Sequence, residues 1–205
     1  MTYMIKFTFQ SLLPLLMMTS CSFISYNQVI PLMKQAVIGS PDIELTKEFI
    51  DEQRYSFIRV DLGKGANIIM VLLDIESNFY TWVSATGEKL ITYNGKVVRS
   101  EGLIYNLRHI NPESFKLFSS SGFNAGTFNL MLENPKAFVE QEFKITLIDS
   151  SKDPLLFEEE INVSILNRNY SNYYWLDRKS GRVTKSKQLI HPKLPKIRID
   201  YVYKF

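Results

Sequence analysis

The sequence predicts a mainly β protein: a single antiparallel β-barrel or sandwich-like domain with one or two short N-terminal helices. Three observations carry that expectation. Aromatic residues reach 13% of the chain, and rings beside β-branched neighbours suit a half-buried pleated surface. About ten short segments follow one another with turn residues between them. One joint is Asn94-Gly95, the pair that a two-residue type I′ hairpin favours, because both central residues take positive φ.

Ahead of that domain lies a segment of different character. Lys6 is the only charged residue among the first twenty, and a mainly apolar run from Phe7 to Met18 follows it, broken by Gln10, Ser11 and Pro14. A basic start, a short apolar core and small residues at the end are the parts of a secretory signal, so residues 1–20 read as a signal peptide. The core is too short to span a hydrocarbon layer of about 30 Å. Met18-Thr19-Ser20-Cys21 resembles a lipobox, in which an apolar residue and two small ones precede the cysteine that is acylated. Cleavage before Cys21, a thioether-linked diacylglycerol and an acylated amino group are the expected result. A thiolate is a strong nucleophile for alkyl transfer, and several acyl chains anchor more firmly than one.

The chain contains one cysteine, which excludes an internal disulfide framework and a Cys-x-x-Cys metal site. The competing reading is a plain signal followed by an incidental thiol. Placement of the single cysteine where the signal ends favours acylation. Ser22, not Asp, comes next, which in enteric-type bacteria directs a lipoprotein to the outer membrane. Residues 21–27 then form a lipidated tether, and 28–205 a β-rich periplasmic domain.

Within the domain, Val29, Ile30, Leu32, Met33 and Val37 predict a helix over Gln28–Ile38, with Pro31 near its first turn. Ser40-Pro41-Asp42 ends it. Thr46 reads as the N-cap of a second short helix that finishes by Gln53. Ile58, Val60 and Leu62 alternate with Phe57, Arg59 and Asp61, as a strand with one buried face does. Ile68 to Leu73 is continuously apolar, which predicts a strand covered on both faces. Further strands are expected at Phe79–Val83, Leu90–Tyr93, Lys96–Arg99, Leu103–Arg108, Phe128–Leu132, Phe143–Ile148, Glu160–Leu166, Tyr173–Asp177, Arg182–Ile190 and Ile197–Tyr203. In the last of these, Ile197, Ile199, Tyr201 and Tyr203 share one face. Pattern alone chooses neither between barrel and sandwich nor the strand order across 114–160.

Composition also limits function. With 24 basic and 21 acidic residues the net charge is +3, too even for the basic stripe of a nucleic-acid binder. No Gly-x-Ser-x-Gly elbow is present. His109 and His191, the two histidines, lack the close His or Cys partner of a zinc motif. Glycosidases use two carboxylates, but Asp74 with Glu76, and the run Glu158-Glu159-Glu160, read as turn chemistry and a solvated edge. That run also suits an edge strand guarded against pairing. No catalytic residue, metal or cofactor is therefore expected. Trp82 and Trp175 are expected in the core, since such rings bury large areas. Tyr170 and Tyr174, flanking Trp175 with opposite parity or in a loop, are the candidates for contact with a glycan or a partner.

Several segments occur together in a familiar order. They are Ser40-Pro-Asp-Ile-Glu-Leu-Thr46, Tyr80-Thr-Trp82-Val-Ser84, Leu90-Ile-Thr92-Tyr-Asn94-Gly95-Lys-Val-Val, Tyr173-Tyr-Trp175-Leu-Asp177 and Gly181-Arg-Val-Thr-Lys-Ser186. The ordered set resembles the group 4 capsule polysaccharide lipoproteins, the YjbF/GfcB/YmcC-like family, over essentially the whole chain. That resemblance implies an antiparallel β-barrel-like domain anchored at the periplasmic side of the outer membrane. It also implies a non-enzymatic accessory role in the biosynthesis or export of capsular or extracellular polysaccharide. Cys21 transfers as the lipid-bearing residue, and no catalytic residue does. The expected partners are the membrane, through the acyl chains, and export proteins or the glycan itself. A carbohydrate-active envelope enzyme and a general envelope scaffold are the alternatives.

Overall fold

The computed structural model describes residues 44–63, 67–116 and 123–205. The described chain starts with the short helix α1 (Lys47–Glu52), where the Thr46 hydroxyl accepts from the Phe49 amide at 3.2 Å and satisfies one of the unpaired first-turn donors. Phe49 sets its ring edge-on against Phe57, 5.8 Å between centroids, which ties α1 to the strand that follows. The helix expected over Gln28–Ile38, like Cys21 and the signal, lies outside the described residues.

Twelve strands follow: β1 (Phe57–Asp61), β2 (Asn67–Glu76), β3 (Phe79–Ser84), β4 (Lys89–Tyr93), β5 (Lys96–Glu101), β6 (Leu107–Ile110), β7 (Phe123–Leu132), β8 (Ala137–Asp149), β9 (Leu155–Val163), β10 (Arg168–Leu176), β11 (Val183–Gln188) and β12 (Ile197–Val202). Each pairs antiparallel with the next, and β1 closes on β12 from Phe57↔Val202 to Asp61↔Arg198, so the sheet is a barrel and not a sandwich. Closure leaves no free edge. Side chains alternate along each strand, which puts Ile58 and Val60 inside and Arg59 and Asp61 outside. The outward pair forms ion pairs across the closing seam, Arg59 with Asp200 at 2.7 Å and Arg198 with Asp61 at 2.9 Å. Charged residues facing out and apolar residues facing in are the reverse of a lipid-spanning barrel.

The interior is filled by side chains. Ile58, Trp82, Phe115, Phe128, Ile145, Tyr174, Ile197 and Ile199 are fully buried. Phe115 comes from the β6–β7 connection, where a 3-10 turn (Pro112–Ser114) precedes it, and it packs on Phe128 and Tyr174. One seam is thin. β5 and β6 share a single ladder pair, Arg99↔Arg108, and side chains complete it: the Ser100 hydroxyl accepts from the Leu107 amide at 3.0 Å and the Asn106 carboxamide from the Leu103 amide at 3.1 Å.

Four expectations need correction. β2 is covered on one face only: Val71 and Leu73 are exposed, so its continuous apolar run is half interior and half surface. Trp175 is not in the core; it lies half-buried on the outer face opposite Lys185, whose ammonium sits 5.4 Å from the ring. Tyr174 takes the inward place instead, because Asn172, Tyr174 and Leu176 share the interior parity of β10. The acidic run is not a solvated edge either. Glu158 and Glu160 face out, but Glu159 is wholly buried in the barrel. The strands through 114–160 are also longer than the pattern suggested, since β7 and β8 begin five and six residues before the expected Phe128 and Phe143.

The β4–β5 hairpin turns in two residues. Asn94 has φ 49° and Gly95 φ 77°, both positive, as a type I′ turn requires. A Cβ on Gly95 would also sit 2.6 Å from the Val183 side chain. Gly95→Ala is therefore expected to destabilise the protein by about 2–4 kcal/mol through backbone strain and overpacking together. The urea midpoint measures this, and an unchanged midpoint would contradict the hairpin's packing on β11.

Candidate functional site

At the end of the barrel where β1 begins and β12 finishes, the inward faces of β3 and β12 run out into an aromatic column. Trp82 lies deepest, its indole N–H donating to the Thr92 hydroxyl at 2.9 Å, with Tyr201 edge-on to it. Tyr80 stacks on Trp82 at 6.1 Å and Tyr203 on Tyr201 at 6.1 Å, and the two outer tyrosines meet edge-to-face at 5.9 Å. Phe205 stacks on Tyr80 at the rim. The alternation that makes Ile197, Ile199 and Tyr201 core residues thus carries Tyr203 to the mouth.

Beside this column is a recess of about 190 Å³ whose lining includes Tyr80, Asn94, Lys116, Leu176, Arg182 and Tyr203. Arg182 is positioned by the β10–β11 turn. There the Asp177 carboxylate accepts from the Ser180 amide and hydroxyl, both at 2.6 Å, which holds its pKa below the ordinary value. Gly181 takes φ 67° and donates to the Asp177 carbonyl at 2.9 Å. The Arg182 guanidinium lies over the rings of Tyr203 and Phe205, 5.3 and 4.5 Å from their centroids, and gives one N–H to the Phe205 main-chain oxygen at 2.7 Å. Burial raises the Tyr203 phenol well above its usual pKa, so it stays neutral and donates to the Val183 carbonyl at 3.2 Å.

Below the recess the polar groups are engaged with one another. The Gly95 carbonyl accepts from Gln188 at 2.7 Å and from Tyr201 at 2.8 Å. Lys96 enters the interior over the rings of Phe115 and Phe128, each 4.9 Å away, and forms an ion pair with Glu159. Asn172 and Tyr174 donate to the same carboxylate at 2.8 and 2.7 Å. Burial lowers the Lys96 pKa, an effect that Glu159 opposes, and burial raises the Tyr174 phenol. His109 is held well below its ordinary value by burial and then by the Lys96 charge. Among the described residues no three His, Cys, Asp or Glu side chains converge as metal ligands. The described lining of the recess offers ring faces, a carboxamide and two cations, groups that suit binding.

Neither tyrosine singled out from the sequence lies at this recess. Tyr174 is fully buried, so a surface role for it is withdrawn in favour of the Glu159 hydrogen bond. Tyr170 is half-buried at the other end of β10, where its hydroxyl accepts from Gln141 at 2.8 Å. Cys21 lies outside the described residues. The recess residues escaped the sequence reading because Tyr80, Arg182 and Tyr203 are far apart in the chain. The visible signal was the inward alternation of β12 ending on a tyrosine.

Comparison with known proteins agrees with the architecture. Residues 32–202 match the family model described as group 4 capsule polysaccharide lipoprotein gfcB, YjbF. An uncharacterized lipoprotein GfcB of Escherichia coli K12 is 21% identical over 180 residues, covering 81% of this chain and 84% of the relative. The crystal structure of the hypothetical lipoprotein YmcC from the same organism superposes with a TM-score of 0.67 at 17% identity, covering 86% of this chain and 96% of that one. At that identity the last likeness speaks to fold.

Two stability measurements test the buried network. Lys96→Met leaves the Glu159 charge unpaired and is expected to cost about 3–5 kcal/mol, much of it recovered in Lys96→Met/Glu159→Gln. A double variant no better than the sum of its single changes would contradict the pairing. For His109 the lowered folded value means that the unfolded chain binds the proton first. Stability is therefore complete above about pH 6.5 and falls on acidification below it, by up to about 1.4 kcal/mol per pH unit. His191 is shifted the same way. His109→Phe should remove the larger share of that slope, measured by urea unfolding between about pH 7 and 5.

Proposed function

Because the chain belongs to the family of group 4 capsule polysaccharide lipoproteins, we propose that it is a non-enzymatic, lipid-anchored accessory protein for capsular or extracellular polysaccharide export. Acyl chains on Cys21 hold it in the outer membrane with the barrel facing the periplasm. The observation that carries this reading is the distribution of polar chemistry. Inside the barrel, Lys96, Glu159, Asn172 and Tyr174 satisfy one another, and the recess at one end brings the rings of Tyr80 and Tyr203 together with the cations of Lys116 and Arg182. Such an end works by contact. A protein outside the inner membrane has no access to nucleotide-sugar precursors, so its step follows polymer synthesis. Anchoring raises its local concentration beside export proteins or the emerging chain.

Deletion of the gene is expected to abolish polysaccharide at the cell surface while intracellular polymer persists, assayed as separate surface and intracellular fractions. Complementation with Cys21→Ala should be weak, and the variant should take up no palmitate label. Normal surface polysaccharide in the deletion strain would reject the export role in favour of a general envelope scaffold.

A further inference from the structure

We infer that the recess at the terminal end of the barrel is a subsite for one pyranose residue bearing a carboxylate, a hexuronic acid within an acidic polysaccharide. Three features point to that ligand. The first is shape and surface: about 190 Å³ beside the rings of Tyr80 and Tyr203 fits a single sugar ring. Phe205, 57% exposed and stacked on Tyr80, extends the platform. Sugar C–H faces stack on aromatic faces, whose negative quadrupole complements them.

The second feature is charge. Among the described residues the lining contains two basic ones, Lys116 and Arg182, and no acidic one. Lys116 is exposed and has no ion pair among the described residues. Arg182 meets no side-chain carboxylate there, and one of its donors goes to the main-chain oxygen of Phe205. A guanidinium has five donors in a planar fork, so several remain for a carboxylate. The third feature is the Asn94 side chain at the rim. Its amide nitrogen turns toward the Phe115 carbonyl at 3.4 Å, which leaves the carboxamide oxygen for a sugar hydroxyl.

This inference rests on the export reading only for the source of the sugar. A neutral glycan would use the rings and leave both cations idle. An acidic peptide would use the cations and gain little from a platform wide enough for a ring.

The test is calorimetric titration of the full lipidated protein in detergent micelles with oligogalacturonate, neutral cello-oligosaccharide of equal length, and oligoglutamate. Oligogalacturonate is expected to bind in the millimolar range or tighter, and to weaken as salt screens the carboxylates. The neutral sugar should bind about tenfold more weakly, as should oligogalacturonate to Arg182→Gln. Phe205→Ala, at an exposed position, should weaken both sugars alike. Thermal melts of the two variants confirm that each remains folded. Equal affinity for neutral and acidic sugars, preference for oligoglutamate, or unchanged binding in Arg182→Gln would each overturn the assignment. Failures of the two readings separate cleanly. Lost surface polymer on deletion but normal surface polymer in Arg182→Gln cells rejects the subsite and keeps export. Binding with normal surface polymer on deletion does the converse.

Discussion

The Lys96 ammonium inside the barrel is the constraint on which much of the fold turns. A cation is unfavourable in an apolar interior unless it is paired and hydrogen-bonded. Here it joins elements that are distant in sequence. Lys96 opens β5 directly after the Asn94-Gly95 turn, Glu159 belongs to β9, and Asn172 and Tyr174, which share that carboxylate, belong to β10. Asn172 in turn accepts from the Leu189 amide just beyond β11. Phe115 and Phe128 both present their rings to the ammonium, which holds Phe115 inside the barrel. A buried pair of this kind adds little net stability over an apolar substitute, but breaking one half is costly. Its effect is to fix which strand faces which across the barrel.

That arrangement divides the molecule into a closed interior and an end that carries the recess. Gly95 links the two. Its carbonyl accepts from Gln188 and Tyr201 below the recess, and its lack of a side chain lets Val183 approach beside Arg182. The aromatic column from Trp82 to Phe205 continues the core outward without a break. Rings that would be solvated one by one are therefore held rigid and already desolvated on one side. Such preorganisation favours binding, because little side-chain entropy remains to be lost.

Much of the architecture was legible in the sequence, because local rules and the global fold agree there. The Thr46 cap, the Asn94-Gly95 hairpin and the alternation of β1 and β12 follow from capping, turn chemistry and a period of two. The misreadings fall where two faces carry similar residues. Tyr173-Tyr174-Trp175 offers a ring at every position, so hydrophobicity cannot set the parity; the hydrogen bond of Tyr174 to Glu159 does, and that partner is distant in sequence. Lys96 and Glu159 look like surface charges until closure brings them together. The apolar run of β2 fits two buried faces by composition, yet a barrel of side-chain-filled interior has only one. The recess itself, built from strand ends and connections far apart in the chain, is legible only in three dimensions.

Under the proposed function the interior is structural and contact with polymer is made at the terminal end. Hydrogen–deuterium exchange of the full lipoprotein, with and without purified acidic capsular polysaccharide, tests that division directly. Added protection is expected in the peptides spanning 79–82, 93–96, 180–184 and 201–205, with the turns at the opposite end of the barrel unchanged. Protection confined to the opposite end, or none at any of these peptides, would contradict it.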